Sequence, residues 1–362
     1  MNSLFPFGFP APTAFYLTLY VLTFALHQAF MHYVLAGSLY VAWATLWPGR
    51  DGLPRTEQPL AAMLRDWMPF LLSAAITAGV APLLFIQVVY QRQYYTANLL
   101  LWWRWLLVVP VLIVAFYLLY LIKSSILARW PYAARVAVVV AAAAGFVFVG
   151  FCWTANHLLG NSEADWPDVY ATGRLPLIAS TVVLRMLIWI GGSFASMSAI
   201  VGWQLLFRQR HQTEPTTIVE SRTLAGLSCG GLAVAVAAGT VYVMQCDEPA
   251  RRLVFGSFAL PFVLVAVAGV FMQWAGWSLQ WRSRQLSGRW LATASTGAVL
   301  SLVGVSVMRE ALRVRAVDLA SLSQRHADAA SVGGFGVFIV SAVCVSLLIA
   351  WCVRLVHRGM TP

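Results

Sequence analysis

The chain of 362 residues has a formal net charge of +11, and 60% of its residues are hydrophobic while only 10% are charged. A soluble globular protein has about a quarter charged residues, so this composition excludes a soluble fold and predicts that lipid solvates much of the surface. The basic residues lie in short loops between apolar runs, and no aromatic and basic strip suggests a nucleic-acid partner.

Nine apolar runs along the chain are long enough to cross a bilayer as helices, for which about 20 residues suffice. The predicted spans lie near 13–47, 68–90, 99–122, 136–159, 176–207, 223–244, 255–280, 290–308 and 333–355. We therefore expect an all-α, polytopic fold with a single integral membrane domain over residues 1–362. Within the sixth run, the small residues of "AGLSCGGLAVAVAAG" (225–239) predict close helix packing.

The charges in the loops predict the orientation of these nine spans. The loops on one side, with the C-terminal tail, contain 14 Lys and Arg and 5 Asp and Glu, whereas the loops on the other side contain 8 of each kind. Basic loops stay in the cytoplasm, so we expect an outside N-terminus and a cytoplasmic C-terminus. The expected location is a bacterial-type cytoplasmic (inner) membrane.

The first span contains two histidines in the stretch "FALHQAFMHYVLAG" (24–37). His27 and His32 are five residues apart, or about 140° around a helix, so they do not share one ligand position on one face. His27 is a candidate ligand of a haem iron, and the alternative is an imidazole bonded to a nearby carbonyl or hydroxyl group. We interpret His32 as a packing or hydrogen-bonding residue, and His157, near the outer end of the fourth span, as interfacial; in the alternative in which His27 binds a haem, His32 or His157 is the candidate second ligand.

Two arginines lie inside predicted spans. Arg104 in "LLWWRWLLVV" has three tryptophan neighbours, which suit the membrane interface. Arg185 in "TVVLRMLIWIGG" lies nine residues after the predicted start of the fifth span at 176, or roughly 13 Å along a helix. A charge this deep in lipid needs a partner, so we expect Arg185 to contact an acid, a haem propionate or a quinone oxygen.

The predicted outer ends of three spans are unusually polar. Gln87 lies in "FIQVVYQRQYYTAN", Asp247 and Glu248 in "VYVMQCDEPARR", and Arg309 and Glu310 in "VSVMREALRVR". One interpretation is a set of solvated helix ends with local ion pairs, which contribute little stability. The other is an outward-facing site for a quinol or for a redox partner.

Several stretches, in their order and sidedness, resemble subunit I of the cytochrome bd-type quinol oxidases, which also has nine spans with this orientation. The similar segments are "GVAPLLFIQVVYQRQYYTAN" (79–98), "FVFVGFCWTANHLLGN" (146–161), "VYVMQCDEPA" (241–250) and "VSVMREALRVRAVDLAS" (305–321). The resemblance is that of a distant relative, covers most of the chain and rests on no single motif. It implies a bd-like helical fold.

The resemblance also implies that most haem ligands of the family are missing. His27 best matches the first-helix histidine. Arg185 falls at the position of the family's fifth-helix histidine, and Pro261 falls near the methionine that is the partner of that histidine. Gln87 falls at the second-helix glutamate, and Ser306 falls near the helix-eight glutamate. Residues 245–254 replace the long quinol-binding loop. A guanidinium does not ligate iron because it stays protonated, proline has no side-chain donor, and glutamine does not carry a proton. The chain is therefore expected to be a bd-like scaffold without most of the oxidase apparatus.

These observations predict an integral membrane subunit of a respiratory or electron-transfer complex. It would anchor redox partner subunits, such as multihaem c-type cytochromes, and bind a quinone at the outer side, rather than act as an independent oxidase. The alternatives are a quinol-oxidising cytochrome with haem b on His27, and a transporter that uses the buried arginines. The cofactor alternatives are haem b, a quinone, or none. The candidate haem or quinone contacts are His27, Arg185, Arg104 and Gln87, and the candidate outer docking cluster is Asp247, Glu248, Arg309 and Glu310.

Overall fold

The computed structural model describes residues 11–47, 58–175, 180–211, 218–283, 285–314, 319–331 and 334–359. These residues form helices and no strand, which confirms the all-α prediction. The helices are α1 (Ala11–Leu46), α2 (Pro59–Val89), α3 (Gln91–Leu101), α4 (Trp103–Leu106), α5 (Val108–Lys123), α6 (Ser125–Ala128), α7 (Tyr132–Gly160), α8 (Trp166–Thr172), α9 (Ser180–His211), α10 (Ile218–Gln245), α11 (Glu248–Val254), α12 (Leu260–Arg282), α13 (Gly288–Val314), α14 (Leu319–Ser331) and α15 (Gly334–Gly359).

Eight helical segments in the described part of the chain are long and apolar enough to cross a membrane. They are α1, α2, α4 with α5, α7, α9, α10, α12 and α13. The protein is therefore a multi-pass membrane protein. The ninth predicted span coincides with α15, of which the described apolar stretch is Ile339–Leu348, half the length that a span needs. The count of nine and the outside N-terminus stay predictions.

The chain forms two compact units. One unit comprises residues 19–316, and therefore most of α1 and all of α2 to α13. The other comprises residues 1–18 and 317–362, with α14 and α15. The expectation of a single domain over the whole chain stays a prediction.

Glycines allow two helix pairs in the larger unit to pack with their backbones in contact. A Cβ atom built on Gly231 of α10 would lie 2.5 Å from the carbonyl oxygen of Gly191 in α9. A Cβ atom on Gly297 of α13 would lie equally close to the carbonyl oxygen of Gly269 in α12. Small residues let membrane helices approach in this way, so the close packing predicted for 225–239 is confirmed.

The second and third spans are joined by a short helix rather than by an open loop. α2 ends at Val89, Tyr90 leaves the helical conformation with φ −119° and ψ 38°, and α3 follows. Trp102 has φ +46°, which is uncommon for a bulky residue, and it separates α3 from the third membrane span. These two breaks turn the side chains of Tyr90 and Tyr94 into the protein, where both are buried.

Candidate functional site

A group of polar side chains, all buried except the half-buried Arg309, lies where α1, the α2–α3 junction, α7, α9 and the last turns of α13 meet. We call it the buried arginine cluster, and it consists of Tyr20, Tyr90, His157, Arg185, Arg309, Glu310 and Arg313. Glu310 is 0% exposed, Arg313 2% and Arg185 7%, although each carries a charged group. Ionisable groups inside a membrane protein are costly and usually functional, so this cluster is the candidate site.

Glu310 is the carboxylate of the cluster and is bonded to Tyr90. The Tyr90 hydroxyl donates a hydrogen bond to Glu310 Oε1, and the guanidinium of Arg313 lies 4.2 Å above the centre of the Tyr90 ring. Burial raises the pKa of Tyr90 well above its ordinary value, and the Glu310 carboxylate acts in the same direction. Tyr90 therefore stays a neutral donor, which orients the carboxylate.

Arg309 and Arg313 are both tied to the first helix. Their Nη1 atoms donate hydrogen bonds to the Tyr20 hydroxyl over 2.9 Å and 3.4 Å. The Arg309 guanidinium also lies 4.5 Å above the centre of the Phe24 ring. This contact and that of Arg313 with the Tyr90 ring offset part of the cost of removing the two guanidinium charges from water.

Arg185 contacts an imidazole. Its Nη1 donates to His157 Nδ1 over 3.2 Å, and its guanidinium lies 5.6 Å from the centre of the Tyr242 ring. Asn161 Nδ2 lies 3.4 Å from the same His157 atom. An arginine is always a donor, so His157 Nδ1 is an acceptor and the proton of the neutral ring lies on Nε2. Sequence reasoning expected an acid, a propionate or a quinone oxygen at Arg185 and did not anticipate this partner.

Four buried polar atoms of the cluster have no hydrogen-bond partner within the described residues. They are Arg309 Nε, Arg313 Nε, His157 Nε2 and Glu310 Oε2. The first three are N–H donors and the fourth is an acceptor. Most buried polar atoms in proteins are hydrogen-bonded to protein or to ordered water, so four such atoms in one cluster call for water molecules or a ligand with oxygen atoms as their partners.

The cluster also has an excess of positive charge. It holds three guanidinium groups and one carboxylate, and His157 lies close enough to all three arginines for direct electrostatic interaction. Within the part of the chain that the structure describes, the charges of the cluster sum to +2. Because the surroundings have a low dielectric constant, the cluster attracts carbonyl or anionic oxygen atoms strongly.

An aromatic wall lies beside the cluster. Tyr20 and Phe24 pack with Tyr94, and the Trp105 and Trp153 rings adjoin them. The Trp105 and Trp153 ring centres are 4.9 Å apart, and Tyr94 stacks on Trp153 with an angle of 28° between the rings. A ligand that reaches the arginines therefore meets flat apolar surfaces.

Gln87 lies next to this wall. Its side chain and that of Asn98 both bond the Tyr94 hydroxyl, and burial raises the pKa of Tyr94. The position that the resemblance assigns to a glutamate therefore supports the aromatic wall through a hydrogen bond.

His27 lies away from the cluster, between α1 and α2. Its Nδ1 donates to the Ala75 carbonyl oxygen over 2.9 Å, and a Cβ atom on Gly79 would lie 2.9 Å from the ring. Its ring thus fills the space that this glycine leaves. His32 Nδ1 lies 3.1 Å from Ser196 Oγ, as expected of a hydrogen-bonding residue.

The structure separates the remaining candidates. Arg104 is half-buried and lies 4.9 Å above the ring of Trp103, an exposed residue, as expected at a membrane interface. Asp247 Oδ1 accepts a hydrogen bond from the Ala250 N–H and caps α11. Glu248 forms an exposed ion pair with its α11 neighbour Arg252. Asp247 and Glu248 thus belong to a surface helix, whereas Arg309 and Glu310 belong to the buried cluster.

Sequence reasoning did not single out four members of the cluster as site residues: Tyr20, Tyr90, His157 and Arg313. Tyr90 and Arg313 do belong to the polar outer span ends that it identified. His157 was expected at the interface, yet it is 2% exposed inside the protein. A signal was available in "VMREALRV", where Arg309 and Arg313 are one helical turn apart and so lie on one face of α13. Tyr20 carries no such signal because tyrosine is common in apolar runs.

The residues do not fit the axial haem ligands that the resemblance assigns to the fifth and seventh helices. Arg185 has a guanidinium group that donates a hydrogen bond to His157, and Pro261 has no side-chain atom that binds iron. No group of three or more His, Cys, Asp or Glu that could hold a metal ion occurs among the described residues. Comparisons with protein-family models, curated proteins and solved structures found no match for this chain. The relationship to cytochrome bd subunit I stays a prediction.

Proposed function

We propose that the protein is an integral membrane subunit of an electron-transfer complex in a bacterial-type cytoplasmic membrane, and that the buried arginine cluster binds a quinone. The observation that carries this proposal is the set of unpartnered atoms in the cluster. Three N–H donors and one carboxylate oxygen lie unpartnered, within the described residues, in a net-positive environment.

The donors match the oxygen atoms of a quinone ring. A quinone carbonyl accepts hydrogen bonds, which Arg309 Nε, Arg313 Nε and His157 Nε2 offer. The reduced ring carries hydroxyl groups, and Glu310 Oε2 is available as their acceptor. Preorganised donors also stabilise oxygen atoms that gain negative charge, as they do when a quinone is reduced.

The aromatic wall favours a flat organic ring over an inorganic anion. Tyr94, Trp105 and Trp153 pack against one another next to Tyr20, which bonds Arg309 and Arg313. A phosphate or sulfate ion gains nothing from these rings, whereas a quinone head group stacks on them. Quinones are also dissolved in the lipid, which surrounds the eight apolar helices.

The redox centres then belong to partner subunits. α11 packs on α13, the helix that carries Arg309, Glu310 and Arg313. Its charged side chains, Glu248, Arg251 and Arg252, are exposed. We assign α11 as the surface on which a redox subunit docks, a multihaem c-type cytochrome being the proposed partner.

Quinone binding is testable with the full chain in lipid nanodiscs that contain no quinone. A short-chain ubiquinone or menaquinone analogue is titrated, and quenching of tryptophan fluorescence reports binding because Trp105 and Trp153 belong to the aromatic wall beside the cluster. His157→Asn keeps an acceptor for Arg185 but lacks the Nε2–H group, and Arg313→Lys keeps the charge but lacks Nε. Losing one buried hydrogen bond should weaken binding about tenfold in each variant.

The matched control is Arg252→Gln, which removes an exposed arginine of α11. It should bind the quinone as the wild type does. The proposal fails if neither analogue binds saturably, or if the control loses as much affinity as the cluster variants. Saturable stabilisation by phosphate or a carboxylate, with no quinone binding, would instead support the transporter alternative.

A cytochrome with haem b is the second candidate, and the hydrogen bond of His27 favours it. Donation from Nδ1 to the Ala75 carbonyl leaves Nε2 of the neutral ring as the acceptor atom. This is the arrangement in which proteins orient a metal-binding histidine. A Soret absorption band that is lost in His27→Ala would support this candidate. A purified protein without such a band would exclude it.

A further inference from the structure

A groove of about 410 Å³ opens between α1, α10 and α12, at the end of the helices opposite the buried arginine cluster. Tyr40 and Trp43 of α1, Arg222 and Gly226 of α10, and Trp281 of α12 line it. A second cavity of about 240 Å³ shares Gly226 and Trp281 with it and ends at Arg282. The two cavities adjoin at Gly226 and Trp281 and form one apolar groove, which Arg222 lines in the first cavity and Arg282 in the second.

Hydrogen bonds hold the walls of this groove in place. Gln280 Nε2 donates to Ser221 Oγ and to the Gln285 carbonyl oxygen, each over 2.9 Å, and Gln280 Oε1 accepts from the Ser287 N–H. Gln280 is fully buried, so the start of α10 and the end of α12 are fixed to each other. Gly226 keeps the groove open, because a Cβ atom there would lie 3.3 Å from the Trp281 ring.

The groove lies at the depth of the lipid head groups. The membrane-spanning part of α12 ends at Arg282, and Arg222 lies in the first turn of the α10 span. Trp43 and Trp281 are 41% and 47% exposed, and tryptophans at such positions mark the membrane interface. Both arginines are exposed at this level.

We propose that this groove binds an anionic phospholipid, with its acyl chains along the apolar lining and its phosphate bound by the guanidinium groups of Arg222 and Arg282. The apolar lining matches acyl chains, and the two guanidinium groups complement a phosphate. Basic pockets between membrane helices on the cytoplasmic side bind anionic lipid head groups. This is also the side that the loop charges predict to be cytoplasmic, where anionic lipids are enriched.

Native mass spectrometry of the full chain tests this proposal. The delipidated protein is mixed with phosphatidylglycerol and with phosphatidylcholine of the same acyl chains, and the bound lipids are counted. We expect the wild type to retain phosphatidylglycerol preferentially. The double variant R222Q/R282Q should lose this preference by about fivefold per arginine. Gly226→Leu fills the groove and should lower retention of both lipids.

The matched control is R129Q/R174Q, which removes two exposed arginines outside the groove and the same amount of charge. It should keep the preference of the wild type. The proposal is overturned if the wild type retains both lipids equally, since that outcome means bulk boundary lipid only. It is also overturned if R222Q/R282Q keeps the preference, or if the control loses it to the same extent. A melting curve for each variant separates lost lipid from lost folding.

Discussion

The substitution Glu310→Gln tests whether the buried cluster depends on its carboxylate. Gln keeps the shape of the side chain and an oxygen that accepts from Tyr90, while it removes the negative charge and replaces the acceptor Oε2 with an NH2 donor. The charges of the cluster within the described residues then rise from +2 to +3, with Arg185 and Arg313 7% and 2% exposed. Glu310 interacts electrostatically with Arg309 and Arg313 but forms no direct ion pair with them within the described residues, so losing its charge should cost about 1.5–3 kcal/mol.

The assay is reversible unfolding in mixed micelles, followed by tryptophan fluorescence and far-ultraviolet circular dichroism. The matched control is Glu248→Gln, which removes a carboxylate from an ion pair whose two side chains are 62% and 78% exposed. Solvent screening limits its expected loss to about 1 kcal/mol. If Glu310→Gln destabilises the protein no more than Glu248→Gln does, then Glu310 is not an ionised partner of the arginines and the charge argument is refuted.

Three further substitutions test the packing and the thiol chemistry. Gly231→Ala places a Cβ atom 2.5 Å from the carbonyl oxygen of Gly191 and should lower the free energy of unfolding by about 1–3 kcal/mol. The control Gly230→Ala places a Cβ atom with no other atom within 4 Å and should leave the free energy of unfolding unchanged. Gln280→Ala removes the hydrogen-bond partner of Ser221 Oγ and of the Ser287 N–H and should lower the free energy of unfolding by about 1–3 kcal/mol. A loss within error of zero would contradict the role of Gln280 in fixing α10 to α12. Burial and the nearby charge of Asp247 raise the pKa of Cys246, so maleimide should label a variant with only this cysteine slowly at pH 8 and faster at higher pH. Asp247→Asn removes that charge and should speed labelling at pH 8. An unchanged labelling rate would contradict the effect of Asp247 on the Cys246 pKa.

The contacts of the cluster accommodate two buried arginines, Arg185 and Arg313, and the half-buried Arg309. Each guanidinium lies over an aromatic ring, and two of them share the Tyr20 hydroxyl. These contacts hold the charges without neutralising them, because the described residues bring one carboxylate to the group. An interior that keeps positive charge and unpaired donors is suited to a ligand with oxygen atoms rather than to packing alone.

The sequence by itself determined the all-α membrane architecture, because a backbone in lipid must satisfy its own hydrogen bonds within each span. It also predicted the close packing of 225–239 and singled out Arg185 as a charge that needs a partner. These conclusions depend on hydropathy and residue size along one helix, which the sequence displays directly.

Only the tertiary structure decided which polar groups meet. Tyr90 and Glu310 are 220 residues apart in the chain, and Tyr20 and Arg309 are 289 apart. Hydropathy places each residue at a depth in the membrane, but the rotation of each helix about its axis decides which neighbours it faces. That rotation results from packing across several helices. Glu310 therefore faces the arginines in the interior, whereas Glu248, at a similar predicted depth, lies on the surface.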